Sequence, residues 1–261
     1  MYPSNNMISK RSVRAYLVVN LSLISISYAY YMVLQTNLLY LTLFTFGRNL
    51  VLIKSIELST SEKAIINKNY QYPDSEFIFY IVQASGIEAL TTYCLTVRND
   101  EPNLIVITLA FIPMSFVFEI IFDFFYYWSH RFLHVTHASC HKTHHAYIHL
   151  KPAITFYQDW MDLLLTVSLP FLLAAKIVQI VYPLSWLEIS LLLTYKIFIE
   201  ISGHSGRVSK PTSSFSQCIW LPQLLGIELY SENHNLHHVD TNYNYAKQFS
   251  LWDKAFGTFA K

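Results

Sequence analysis

Long apolar runs constrain this chain more than any other feature of its sequence. Residues 15–46 form one such run, interrupted only at Gln35-Thr36-Asn37, and others cover 76–96, 104–128, 160–181 and 184–201. Inside a bilayer no water can satisfy backbone N–H and C=O groups, so a spanning segment must bond to itself, which a helix does. About 20 apolar residues cross the hydrocarbon layer. The runs therefore predict an all-α integral membrane helical bundle of four or five apolar helices. The composition agrees, with 53% hydrophobic and 13% charged residues, where a soluble domain carries about 25% charged.

The first run is too long for a cleaved leader. It is either one tilted helix or two, if the second extends through Ile53. Arg48 to Ser75 is polar and mixed in charge and is read as a surface loop, and Arg98 to Asn103 as a short turn. Tyr182-Pro183 fits a tight hairpin between the last two runs, because proline cannot continue a helix. The loop 48–75 carries Arg48, Lys54, Lys63 and Lys68, against one basic residue in the turn 98–103. The positive-inside rule puts that loop in the cytosol, and two further spans return the chain there after Trp128. The polar start, Met1 to Ser12 with Lys10 and Arg11, then favours the two-helix reading. The chain divides into two regions: 1–103, N-terminal membrane helices, and 104–261, a histidine-bearing domain whose cap holds two metals on the cytosolic side. The net charge of +1 points to no nucleic acid, and three scattered cysteines form no disulfide framework.

All eleven histidines lie between 130 and 238. Eight form three boxes: His130-x-x-x-His134, His141-x-x-His144-His145 and His234-x-x-His237-His238. On a helix, positions i, i+3 and i+4 share a face, so each box can aim its imidazoles at one point. Imidazole suits iron, zinc, copper and nickel, and one zinc ordinarily takes four ligands. Eight converging histidines exceed the needs of one ion, which predicts two. Glu119, Asp123, Tyr127, His130 and His134 make a polar stripe on an apolar helix. Metal-bound histidines pass their second N–H to a carboxylate or carbonyl, and Asp123 is the candidate for that role. His137 and His149 are read as ordinary surface or core residues, and Cys140 as a packing residue.

The stretch Asp123-Phe-Phe-Tyr-Tyr-Trp-Ser-His130, the second box, Glu200-Ile-Ser-Gly-His204-Ser-Gly, the third box, and the closing Asn244-Tyr245 … Leu251-Trp252-Asp253 … Phe256-Gly257-Thr258 together resemble the fatty acid hydroxylase / sterol desaturase superfamily. Within it they are most similar to methylsterol monooxygenases and cholesterol 25-hydroxylases. The resemblance implies His204 as a ninth metal ligand, with Glu200 beside it as a supporting carboxylate. It also implies two non-heme iron ions, molecular oxygen as co-substrate, and cytochrome b5 with its NAD(P)H-dependent reductase as electron donors. The expected substrate is a membrane lipid, a sterol ahead of a fatty acyl chain or sphingoid base. The expected location is the endoplasmic reticulum. Departures from the family pattern include Asn235 where Asp is common, Arg207 where Tyr is usual, Asp159 where many members have His, and Asp162 in place of Glu.

The expected reaction is hydroxylation of a lipid C–H bond. A desaturase on the same centre is the alternative. A membrane zinc hydrolase is a third reading, weakened because neither His130 nor His141 is followed by Glu. A relative that has lost its activity is a fourth, and the intact boxes speak against it.

Overall fold

The computed structural model describes residues 10–34, 36–67, 74–95, 103–210, 212 and 214–261. Four long helices come first: α1 (Lys10–Leu34), α2 (Leu38–Thr60), α3 (Asp74–Tyr93) and α4 (Leu104–Val135). The first apolar run is two helices because Asn37 stops one and starts the next, its side chain accepting from the Tyr40 amide at 3.1 Å. Asn103 caps α4 in the same way, accepting from Ile105 and Val106, as a short polar side chain does for otherwise orphaned first-turn donors.

The short helix α5 (Ser139–Lys142) comes next. Then α6 (Trp160–Asp162) passes through a π-helical stretch, Leu163–Ser168, into α7 (Leu169–Val181). Pro170, which has no N–H to give, sits immediately beyond the π stretch, where a wider helical register absorbs the missing bond. α8 (Trp186–Gly203) begins at a capping box between Ser185 and Glu188. The chain ends with α9 (Leu221–Leu224), α10 (Ser231–Val239) and α11 (Leu251–Ala255). Among the described residues there is no strand, only an isolated antiparallel bridge between Ile65 and Arg207.

Four helical segments are long and apolar enough to cross a membrane: Val13–Leu34, Leu38–Thr60, Leu104–Val135 and Trp160–Val181. They make this an integral membrane protein. Leu21, Leu39, Leu43, Ile105 and Leu109 turn their side chains outward from α1, α2 and α4, as lipid-facing positions do. α1 packs along α8, α2 along α3, and α4 along α7. The runs at 76–96 and 184–201 are helical too, but Glu88 on α3 and Lys196 and Glu200 on α8 place charge within them. α8 is buried around most of its circumference, which makes it the central helix of the bundle.

One expectation is corrected. Arg48 to Ser75 is not a surface loop throughout, because α2 continues to Thr60. Arg48 is buried and its guanidinium grips Glu88 with both terminal nitrogens, at 2.9 and 2.6 Å. Two of the four cations assigned to the loop therefore sit on a helix. Lys68, residues 1–9 and most of the 98–103 turn lie outside the described residues.

Candidate metal centre

α4 carries His130 and His134 one turn apart near its C-terminal end. The chain leaves it through a left-handed turn at His137 (φ 50°). α5 then delivers His141, and a 3-10 turn, His144–Ala146, delivers two more. His204 closes the C-terminal end of α8, and α10 supplies His234, His237 and His238.

These nine histidines form two groups: His130, His134, His141, His145 and His237, and His144, His204, His234 and His238. Within each group, one ring nitrogen per residue lies within 4.8 Å of all the others. The second and third boxes do not act as units, contrary to the one-point expectation. In the second, His141 and His145 join one group and His144 the other. In the third, His234 and His238 join one group and His237 the other. On α10 the i,i+4 pair His234 and His238 share a face while His237 is turned toward the adjacent cluster, and the second box, divided between α5 and the 3-10 turn, sorts in the same way. His137 and His149 belong to neither group.

The outer nitrogens are anchored. Nδ1 of His130 donates to the carbonyl of Tyr245 at 2.8 Å, and Nδ1 of His237 to that of Tyr243 at 2.6 Å. Nδ1 of His204 donates to the Glu200 carbonyl at 2.8 Å and Nδ1 of His238 to the Tyr147 carbonyl at 3.2 Å. Nδ1 of His141 lies 2.9 Å from the Asp162 carboxylate. A carbonyl cannot donate, so the proton sits on Nδ1, and a neutral ring then carries a lone pair on Nε2.

Within each group Nε2 atoms face one another. His130 and His134 approach to 3.1 Å, His134 and His141 to 3.1 Å, and His130 and His237 to 3.0 Å. In the other group His204 lies 3.3 Å from His144 and 2.9 Å from His234. Burial, then the neighbouring imidazoles, hold His144 and His238 far below the ordinary histidine range. Burial and Lys247 push His204 down to about 3. His130 and His237 both give their Nδ1 protons to carbonyls, so their Nε2 lone pairs meet at 3.0 Å with no proton between them, which a cation would relieve. The spacing fits one: nitrogens about 2.1 Å from a common ion and at right angles lie about 3 Å apart. Both ring nitrogens of His145 and Nε2 of His238 are buried without a hydrogen-bond partner, the condition a metal ion relieves.

The supporting groups differ from those read in the sequence. Asp123 touches no histidine. Its carboxylate, fully buried, accepts the amides of Lys247, Gln248 and Phe249 at 2.7, 3.0 and 3.0 Å. It lies about two turns below His130, too deep to reach the rings. Glu200 supports His204 through its backbone carbonyl, while its side chain pairs with Lys196 at 2.5 Å. Asp162 is the carboxylate that orients a ring. The closing motif has a structural role: Asp253 accepts the amides of Tyr245 and Ala246 at 2.8 and 2.9 Å. That fixes the backbone whose Tyr245 carbonyl holds His130. The glycine after His204-Ser is required as well. Gly206 has φ +65°, and a Cβ there would run into the carbonyl oxygen of Leu150.

A cavity of about 580 Å³ opens beside the second group. Its walls come from α1, α2, α8 and the segment after α8, and it reaches His234. Val19, Ile56, Phe198 and Trp220 give it an apolar side, and its volume suits a lipid-sized ligand.

A model of the fatty acid hydroxylase family matches residues 115–258. The chain is similar to a fatty acid hydroxylase of a Lecanicillium species, at 34% identity over 55% of this chain and 41% of that one. It is similar to human lathosterol oxidase, at 32% identity over 52% of this chain and 42% of the relative. It is also similar to a putative methylsterol monooxygenase of Dictyostelium discoideum, at 30% identity over 66% and 59%. The chain spans less than half the length of the first two of these relatives. No solved structure matches it.

Proposed function

Because this chain belongs to the fatty acid hydroxylase family, whose model covers residues 115–258, we propose that it is a membrane-bound oxidoreductase that hydroxylates a C–H bond of a lipid at a paired iron centre. One observation carries the reading: two adjoining groups of mostly buried imidazoles bring one ring nitrogen per residue within 4.8 Å of the others in the group. His130, His134, His141, His145 and His237 would hold one ion, and His144, His204, His234 and His238 the other. When bound, two irons would supply the activation of molecular oxygen that an unactivated C–H bond demands. The protein's part is to bind, orient and exclude water.

The residues divide that work. The carbonyls of Tyr147, Glu200, Tyr243 and Tyr245 and the carboxylate of Asp162 hold the outer ring protons and so fix which nitrogen faces inward. Asp123 and Asp253 pin the 245–249 segment. The cavity next to His234 would receive the substrate from the bilayer between α1, α2 and α8. Electrons would come from cytochrome b5 and its NAD(P)H-dependent reductase. The location proposed is the endoplasmic reticulum, with the histidines facing the cytosol.

Desaturation on the same centre is the second reading, favoured by the similarity to lathosterol oxidase. The two share the first hydrogen abstraction and diverge at the second step, return of a hydroxyl to the carbon or loss of a neighbouring hydrogen. The test is to reconstitute purified protein with iron, oxygen, a reductant and a lipid extract, and to weigh the products. A gain of one oxygen supports hydroxylation, and a loss of two hydrogens supports desaturation. Oxygen-independent hydrolysis by zinc-loaded protein, with no oxidised lipid, would overturn both.

A further inference from the structure

The cavity beside His234 is charged in one sense only. Lys63, Arg207 and Lys247 line it, and no aspartate or glutamate does. Among the described residues, no carboxylate lies within ion-pair distance of Lys63 or Arg207. The two are drawn together by the backbone: Nη1 of Arg207 donates to the carbonyl of Lys63 at 2.8 Å, beside the bridge between Ile65 and Arg207. That contact takes one N–H and leaves the rest of the guanidinium fork for another acceptor. Lys247 is buried at the inner wall, with its ammonium 5.3 Å from the ring centroid of Tyr126. The nearby Glu200 carboxylate is already engaged by Lys196.

Four of the hydroxyls lining the cavity have spent their protons. Thr60 donates to the Ile56 carbonyl at 2.7 Å, Ser231 to that of Ser202 at 3.0 Å, and Ser209 to the Glu232 carboxylate at 2.9 Å. Ser214 donates to the carbonyl of Gln248. What they turn toward the cavity is lone pairs. The charged donors that line the cavity are the three cations. A neutral sterol would give them nothing to neutralise, and a long-chain amine would be repelled.

We propose that the cavity takes an acidic lipid, whose anionic head group is held by Arg207 and Lys63 while its chain lies along the apolar wall toward His234. The proposal rests on the reading of this cavity as the substrate site, and it replaces the sequence-based preference for a sterol. Arg207 stands where the resembling family usually has tyrosine, so this head-group contact is a feature of this chain's own residues. Paired guanidinium and ammonium groups are the usual recognition for carboxylate and phosphate.

The test is binding, with no need of iron or turnover. Full-length protein in a neutral detergent is titrated with cis-parinaric acid and, separately, with its methyl ester, following energy transfer from tryptophan, since Trp220 lines the cavity. The acid is expected to bind about tenfold or more tightly than the ester, the worth of a charge-assisted hydrogen bond. That preference should shrink as salt is raised. K63Q and R207Q should each bring the acid toward the ester's affinity and leave the ester unchanged. If R207Q folds poorly, R207K serves in its place: it keeps the charge and should retain part of the preference. Displacement of the probe by lysophosphatidic acid or by palmitate tells which anionic head group is preferred, and displacement by neither overturns the proposal. Equal affinity for acid and ester overturns it, as does a preference that survives K63Q and R207Q. A protein that oxidises no lipid yet prefers the acid would remove the proposed reaction and leave the anion site standing.

Discussion

Asp162, fully buried, holds its carboxylate 2.9 Å from Nδ1 of His141. It is the one carboxylate among the described residues that directly orients a ring of either histidine group. Thr166, one turn along, steadies it from the other side at 3.3 Å. Carboxylates in this position fix a ligand's tautomer and raise its basicity, and removing one costs about 10- to 100-fold in metal affinity or activity. D162A is therefore expected to lose iron and turnover on that scale while keeping its fold. Metal analysis of the purified variant checks it, and full iron occupancy would rule out the role.

The interleaving of the boxes predicts a stoichiometry. His144 and His145 are adjacent in sequence, yet each faces a different group. H144A is expected to weaken the ion held with His204, His234 and His238 and leave its neighbour. H145A should do the reverse, and more mildly, because four imidazoles remain. H144A protein should carry about one iron per chain where the parent carries two, and should be inactive in lipid oxidation. Full activity in H144A would contradict the paired centre.

Much of this was legible in the sequence, for physical reasons that can be named. Bilayer-length apolar runs demand helices, so the all-α membrane bundle is a consequence of them. Polarity without direction misleads: Arg48 and Asn49 made residues after 47 look like a loop, but both are buried on the inner face of α2. The spacing of the boxes is real, but even on the continuous helix α10 the ring at i+3, His237, is turned to the other group from His234 and His238, and the second box is not one helix at all. α5 ends at Lys142, and His144 restarts in a tighter turn. The carbonyls of Tyr243, Tyr245, Glu200 and Tyr147 that anchor the rings have no side-chain signature, so no motif could have named them. Asp162 stood out in the sequence only as a departure from the family's glutamate.

Asp123 is expected to matter for folding more than for ring chemistry. D123A would leave three buried amides, those of Lys247, Gln248 and Phe249, without their acceptor. At about 1–3 kcal/mol for each unsatisfied buried group, the loss is about 3 kcal/mol or more. A clear fall in the thermal midpoint in detergent should result, with iron lost as a consequence. D123N keeps an acceptor oxygen and should fall less. A D123A protein as stable as the parent would refute the pinning role.

The Arg48–Glu88 pair joins α2 to α3 inside the bundle. Tyr30 from α1 bonds the same carboxylate at 3.3 Å, and the Arg48 guanidinium lies 5.2 Å from its ring centroid. Breaking one side of such a pair strands the other charge at about 3–5 kcal/mol, whereas replacing both with apolar residues is often neutral. R48L is expected to unfold at markedly lower temperature than the R48L/E88L double variant. Equal midpoints for the two would show that the charges are not coupled.

Metal removal supplies a test of the centre that is independent of catalysis. Without a cation, the Nε2 atoms of His130, His134, His141 and His237 crowd together at about 3 Å, and those of His144, His204 and His234 do the same. A ligand present at a thousand times its dissociation constant stabilises the folded state by about 4 kcal/mol, so chelation should lower the thermal midpoint as well as abolish lipid oxidation. Because the rings come from α4, α5, α8 and α10, the loosening should fall on the 231–249 region and on 139–146. Hydrogen exchange of the chelated protein should report faster exchange there and little change in α1 and α2. Re-adding iron should restore both the midpoint and the protection. A chelated protein with an unchanged midpoint and unchanged exchange would mean that the two histidine groups are held by the fold alone.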